Sequence, residues 1–184
     1  FSITGDEISA FPLICEYVRR KQIEDLVIVA ADLGFAKKAR NIAEQLHAPV
    51  AFIEKRLSGT ATEAKNVIGD VRGKNVVIVD DELDTGGTMV GAAEILRDEG
   101  ARDVYACFMH PTFSKGAVEL LASANFREII CTNTQPIPPE KRLPNMTILC
   151  LGPWLARIID AVHRGLSVGR TLQEYLDDFE PEFA

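Results

Sequence analysis

Between Val76 and Thr88 the sequence reads VVIVDDELDTGGT. Four acids, Asp80, Asp81, Glu82 and Asp84, fall within five positions, and Thr85, Gly86, Gly87 and Thr88 follow at once. The two halves suit different chemistry. Glycines let backbone amides approach an anion closely, and two threonine hydroxyls add donors. A helix starting here would aim its positive end at the same anion, so Asp84 to Thr88 suit a phosphate. Carboxylates repel phosphate, but they accept hydrogen bonds from sugar hydroxyls and hold Mg²⁺ directly or through water. A phosphorylated pentose, with a diol at one end and a phosphate at the other, meets both requirements. Without a cation or a diol, four acids gathered at a strand end are costly.

The rest of the chain must position this junction, and it alternates strand-like with helix-like runs. Strands are expected near 26–31, 50–55, 75–80 and 103–109, with REIICT and MTILCL as later ones. Helices are expected over 35–47, 87–100, 115–124 and 153–165, the second ended by Gly100 and the last starting at a proline. Asp6 to Lys21 also reads as helical, with Pro12 tolerable only near its first turn. Continuous apolar strands alternating with helices predict an α/β fold with a mainly parallel central sheet and helices on both faces. In such a sheet ligands collect at the carboxyl ends of strands, where the acidic junction lies. Arg56 to Asn66 is small and polar and is expected to form a mobile loop. GDVRGKN (69–75) resembles a nucleotide-binding G-x-x-x-x-G-K-[ST] loop. Its spacing is one short, Asn75 replaces the hydroxyl residue, and it precedes a strand, so it reads as a turn.

A chain of 184 residues supports one full core. Apolar content of 47% and charged content of 26% are ordinary for a globular domain. A net charge of −7 argues against a nucleic-acid partner, which is normally held by Lys and Arg. No apolar run is long enough to span a bilayer, so no membrane association is expected. The first residue is Phe1, consistent with a trimmed product or part of a longer protein. Cys15, Cys107, Cys131 and Cys150 form no C-x-x-C pair and read as buried, reduced thiols in a cytoplasmic protein. His47, His110 and His163 are scattered and read as surface or packing residues.

The apolar run with DDELDTGGT resembles the phosphoribosyl diphosphate fingerprint of type I phosphoribosyltransferases. VAADLGFAKKARNIAEQL, AFIEKR, NVIGDV, HPTFSKGAVELL and TNTQPIPPEK, in that order, are similar to the C-terminal half of ribose-phosphate pyrophosphokinases. The resemblance runs from Phe1 to Leu172. It implies a phosphoribosyltransferase-like domain over 1–172, followed by an acidic C-terminal tail over 173–184. The activity it implies is Mg²⁺-dependent transfer of diphosphate from ATP to the 1-hydroxyl of ribose 5-phosphate. It also implies a homo-oligomer and a companion N-terminal synthetase domain, which supplies much of the ATP site and a metal-binding histidine.

Carried over by position, Asp84, Thr85, Gly86, Gly87 and Thr88 would cradle the 5-phosphate, and Asp80 and Asp81 would face the ribose hydroxyls. Asp32 would bind ribose or metal, and Lys55, with Arg56 beside it, would open the catalytic loop. Two positions depart from the family pattern. Leu57 stands where the family has an arginine, and Phe35 replaces the second glycine of P-D-x-G-G, where its side chain is expected to crowd a ligand. These departures admit an inactive binding or regulatory subunit. A base-specific phosphoribosyltransferase is a further alternative, although no extra segment offers a base-binding hood. By itself the chain is expected to be inactive.

Overall fold

Val76 to Val79 are almost wholly buried on both faces of the molecule, as a central strand requires. In a computed structural model that describes residues 8–56 and 64–177 with Gly5, Pro181 and Phe183, they lie in β4 (Asn75–Leu83). Only the backbone is described at 55, 56, 64 and 65. β4 pairs in parallel with β1 (Leu26–Ala30) on one side and β5 (Val104–Pro111) on the other. With β2 (Val50–Arg56), β3 (Ala64–Ile68), β6 (Ile129–Thr132) and β7 (Met146–Leu149), the described residues form a seven-stranded sheet ordered β3-β2-β1-β4-β5-β6-β7. Every pairing is parallel except β2 with β3. The α/β class expected from the alternation is the observed one.

Side chains alternate across β4. Val76 and Ile78 enter a core shared with α3 (Gly87–Asp98) and α4 (Ala117–Ser123). Val77 and Val79 enter a second core, shared with α1 (Phe11–Arg20), α2 (Ala36–Leu46) and α5 (Gly152–His163). α6 (Val168–Asp177) closes over that second core, with Tyr175 edge-on to Trp154 at 5.4 Å. At the amino ends of the strands, α1 is fastened by a buried carboxylate. Glu128 accepts from Tyr17 Oη and from Thr147 Oγ1, each at 2.6 Å, and pairs with Lys21 Nζ at 2.6 Å. Cys15, Cys107 and Cys131 are buried and unbridged, while Cys150 is partly exposed. Among the described residues no helix is long and apolar enough to cross a membrane.

Three expectations need correction. The stretch expected as a loop over 56–66 begins inside β2 and ends inside β3; its middle lies outside the described residues. β3 escaped notice because an edge strand buries little; its Ile68 is 49% exposed. β4 continues through Asp80, Asp81 and Glu82 to Leu83, because the ladder to β5 holds as far as Leu83↔Pro111. Helix α1 begins at Phe11, with Pro12 in its first turn. The expected turn at 69–75 is observed, closed by Lys74 N donating to Val71 O at 3.1 Å.

Candidate functional site

From β1 the chain winds outward to β2, and from β4 it winds the other way to β5. The carboxyl ends of β1 and β4 therefore flank a topological switch point, the crevice where open α/β sheets bind ligands. Asp32 follows β1, and the acidic run ends β4, so the fold brings these sequence-predicted residues to one place.

The two adjacent acids part company there. Asp80 keeps the parity of Val76 and Ile78 and lines a cavity of about 190 Å³ with Asp84, Thr85, Gly86 and Thr88. Asp81 keeps the parity of Val77 and Val79 and lines a cleft of about 730 Å³ with Lys38, Phe11, His110 and Leu155. Glu82 borders both.

The turn Asp84–Gly86 leads into α3 and is braced from the segment after β5. Phe113 N donates to Leu83 O at 3.1 Å, Ser114 N donates to Asp84 O at 3.0 Å, and the Ser114 hydroxyl donates to the Asp84 carboxylate. Thr112 Oγ1 donates to Glu82 at 2.6 Å. These partners were not legible in the sequence, since they lie about thirty positions away. Gly86 has φ +81°, which favours glycine, and its carbonyl accepts from Val90 N at 2.9 Å to start the helix. Gly87 differs. A Cβ there would approach nothing nearer than Thr85 Oγ1 at 3.8 Å, so no packing in the chain requires glycine. Its bare backbone faces open space at the start of α3, beside exposed Thr85 and Thr88, where an anion is favoured.

Asp32 caps the turn that follows β1, accepting from Phe35 N at 3.1 Å. The Phe35 ring does not crowd that turn's outer surface; it is buried, 5.8 Å from the Phe11 ring. One turn later on α2, Lys38 Nζ lies 5.2 Å above Phe35 and 3.1 Å from Asp81 Oδ2. Nothing in the sequence distinguished Lys38 from Lys37.

Charge is distributed unevenly across this group. Burial, reinforced by the negative charges of Asp81 and Asp32, pushes the Asp80 carboxyl up to about 6, although the Asp81 amide donates to it at 2.9 Å. Burial also acts on Asp81, but the Lys38 ammonium outweighs it and holds that carboxyl below its ordinary value. Among the described residues no three His, Cys, Asp or Glu side chains converge as a complete metal cage. His110 lines the cleft with Nδ1 3.0 Å from Thr134 Oγ1. Lys55 and Arg56 lie at the end of β2, but their side chains, like the whole of Leu57, are outside the described residues.

Comparison with known proteins agrees with this fold. A ribose-phosphate pyrophosphokinase from Nostoc sp. is 44% identical over 170 residues, covering 91% of this chain and 52% of its own length. Ribose-phosphate pyrophosphokinase 1, chloroplastic, from Oryza sativa subsp. japonica is 44% identical over 181 residues, covering 96% and 46%. The crystal structure of phosphoribosylpyrophosphate synthetase from Mycobacterium smegmatis superposes with a TM-score of 0.81 at 40% identity, over 87% of this chain and 52% of that one. The chain thus spans about half the length of the curated relatives it matches. The phosphoribosyl synthetase-associated domain matches residues 61–172, from the β2–β3 connection through the acidic strand to α6, and the chain belongs to that family.

Proposed function

We propose that this chain is the ribose 5-phosphate-binding half of a ribose-phosphate pyrophosphokinase. The observation that carries the proposal is Gly87, a glycine that the fold does not need, at a helix start beside the cavity that Asp80 lines. In this reading the amides and hydroxyls of Thr85 to Thr88 hold the 5-phosphate, with Asp84 buttressing the turn through Ser114. Asp80 and Asp81 meet the ribose hydroxyls from the two sides of β4. The 1-hydroxyl oxygen attacks the β-phosphorus of ATP and releases its proton to solvent, the bond from that phosphorus to the oxygen of the α-phosphate breaks, and AMP leaves. Lys55 and Arg56 supply cations where charge gathers on the transferred diphosphate.

Mg²⁺ would neutralise that diphosphate when bound. It commonly takes one or two carboxylates and completes its shell with substrate oxygens and water, so an incomplete protein cage fits it. Asp32 is the candidate ligand, with Asp80 near enough to feel its charge. ATP would be held in large part by a companion N-terminal domain, with which the chain works as a homo-oligomer in the cytoplasm. An apolar stripe supports such assembly: Leu155, Ile159, Val162 and Leu166 recur at helical spacing and are 48–67% exposed. We propose the domain limits as 1–172 for the synthetase-like unit and 173–184 for an acidic C-terminal extension, whose first part completes α6 against the second core. Leu57, in place of the family's arginine, favours a second reading as a binding or regulatory subunit. Calorimetric titration of ribose 5-phosphate into the wild type and Asp80→Asn tests the first reading. Binding that the substitution leaves unchanged would reject it.

A further inference from the structure

We propose that Lys38 is a positioning residue for the sugar, which acts by locking the carboxylate of Asp81 to the turn that carries Asp32. The inference rests on the reading of this site as a sugar-phosphate site. Five contacts link the two strand ends. Asp32 Oδ1 accepts from Phe35 N at 3.1 Å, and the buried Phe35 ring packs on Phe11. Lys38 lies over that ring at 5.2 Å and reaches Asp81 Oδ2 at 3.1 Å. The Asp81 amide in turn donates to Asp80 Oδ1 at 2.9 Å. These contacts link Asp32, Asp81 and Asp80 across the crevice between β1 and β4.

Stability is a poor explanation for the pair. Both side chains are about half exposed, 56% for Lys38 and 51% for Asp81, and such pairs contribute little to folding. The groups around Asp81 show what the ammonium does instead. Asp80 and Glu82 flank it on β4, the charge of Asp32 reaches Asp80 from the turn after β1, and His110 stands opposite Glu82 on β5. Phe11 and Leu155, from α1 and α5, complete the cleft wall without titrating. The negative charges of Asp81 and Asp32 both bear on Asp80, and Lys38 offsets that of Asp81 while fixing its carboxylate. Without that tether, the half-exposed Asp81 carboxylate turns toward solvent and away from the sugar.

The test uses residues 1–184 as wild type, Lys38→Met and Lys38→Arg, with ribose 5-phosphate and inorganic phosphate as separate probes at pH 7.5. Lys38→Met should weaken ribose 5-phosphate by roughly tenfold, the equivalent of one charge-assisted hydrogen bond, and leave inorganic phosphate within about twofold. Lys38→Arg should restore the sugar phosphate to within about twofold. In parallel, carboxyl ¹³C shifts should show the Asp81 titration moving to higher pH in Lys38→Met. An equal loss for both ligands would mean that Lys38 acts only through its long-range charge, and no loss for either would mean it does not position the sugar. Both results overturn the proposal. A wild type that does not prefer ribose 5-phosphate to inorganic phosphate would instead reject the sugar site itself, and the role of Lys38 with it.

Discussion

Asp80 and Asp81 are consecutive in sequence and point to opposite faces of β4, into two different cavities. A pleated strand imposes this, because successive side chains leave on alternate faces. One acid is raised toward neutrality beside the cavity at the Asp84–Thr88 turn, and the other is kept ionised by Lys38 over the wider cleft.

The raised acid should cost stability at neutral pH. Asp80 goes from an ordinary value of 3.8 to about 6 in the folded protein. Folding therefore favours its protonated form, and stability is lost as pH rises from roughly 4 through 6. Asp80→Asn should be more stable than wild type at pH 8, on the order of 1 kcal/mol after discounting for solvent screening. Below about pH 4 the difference should vanish. Thermal melts at the two pH values check this, and a gain of the same size at both would refute the electrostatic origin.

Two neighbouring glycines should behave differently. Gly86→Ala places a side chain at φ +81° and should destabilise by about 1 kcal/mol. Gly87→Ala has room, so its stability should stay within about 0.5 kcal/mol of wild type. Its affinity for inorganic phosphate should fall all the same, because the methyl group occupies the approach to the amides. Paired melting and calorimetric measurements separate the two effects; unchanged phosphate binding in Gly87→Ala would remove that glycine from the site.

Far from the site, Glu128 should govern acid sensitivity. Burial alone would raise its pKa, but Lys21, Thr147 and Tyr17 more than offset this and lower it from 4.5. Its contribution is thus present above the unfolded value and disappears as pH falls through the folded one. Glu128→Gln should lose roughly 1–3 kcal/mol at pH 7, with the two stability curves converging in acid. Ribose 5-phosphate affinity should be unchanged, since this cluster lies at the opposite ends of the strands.

Catalysis should require more than this chain. Incubated with ATP, Mg²⁺ and ribose 5-phosphate, purified residues 1–184 should release no measurable AMP, because positioning of ATP supplies much of the acceleration in such transfers. Turnover near one per second, the low end of ordinary enzymes, would show the domain to be self-sufficient. Should the full-length protein also prove silent, Leu57→Arg discriminates further. Recovered activity would indicate a decayed enzyme, and continued silence a binding or regulatory subunit.

The fold was legible because its strands are buried on both faces, and burial writes itself into sequence as unbroken apolar runs such as Val76–Val79. Edge strand β3 buries too little to leave that mark. The acid-and-glycine junction was legible for a local reason: its residue types are costly or pointless except as ligands. What stayed hidden depends on distant partners. Thr112 and Ser114 brace the loop from beyond β5, and Lys38 is chosen over Lys37 by the helical phase that sets it above Phe35 and beside Asp81. The buried fate of the Phe35 ring was equally invisible, being decided by its packing on Phe11.

The placement of the cysteines makes the protein ready for spectroscopy. Burial pushes the Cys15 and Cys131 thiols up to about 12 and that of fully enclosed Cys107 well above its ordinary value, so all three remain protonated and shielded from alkylating reagents. Cys150 is partly exposed and accepts a hydrogen bond from Asn133 Nδ2 at 3.4 Å; Asn133 and the adjacent Leu151 both line the wide cleft. A maleimide dye should therefore attach at one position in the native protein, without removal of any other cysteine, and place its fluorophore at the rim of the cleft that Asp81 and Lys38 border.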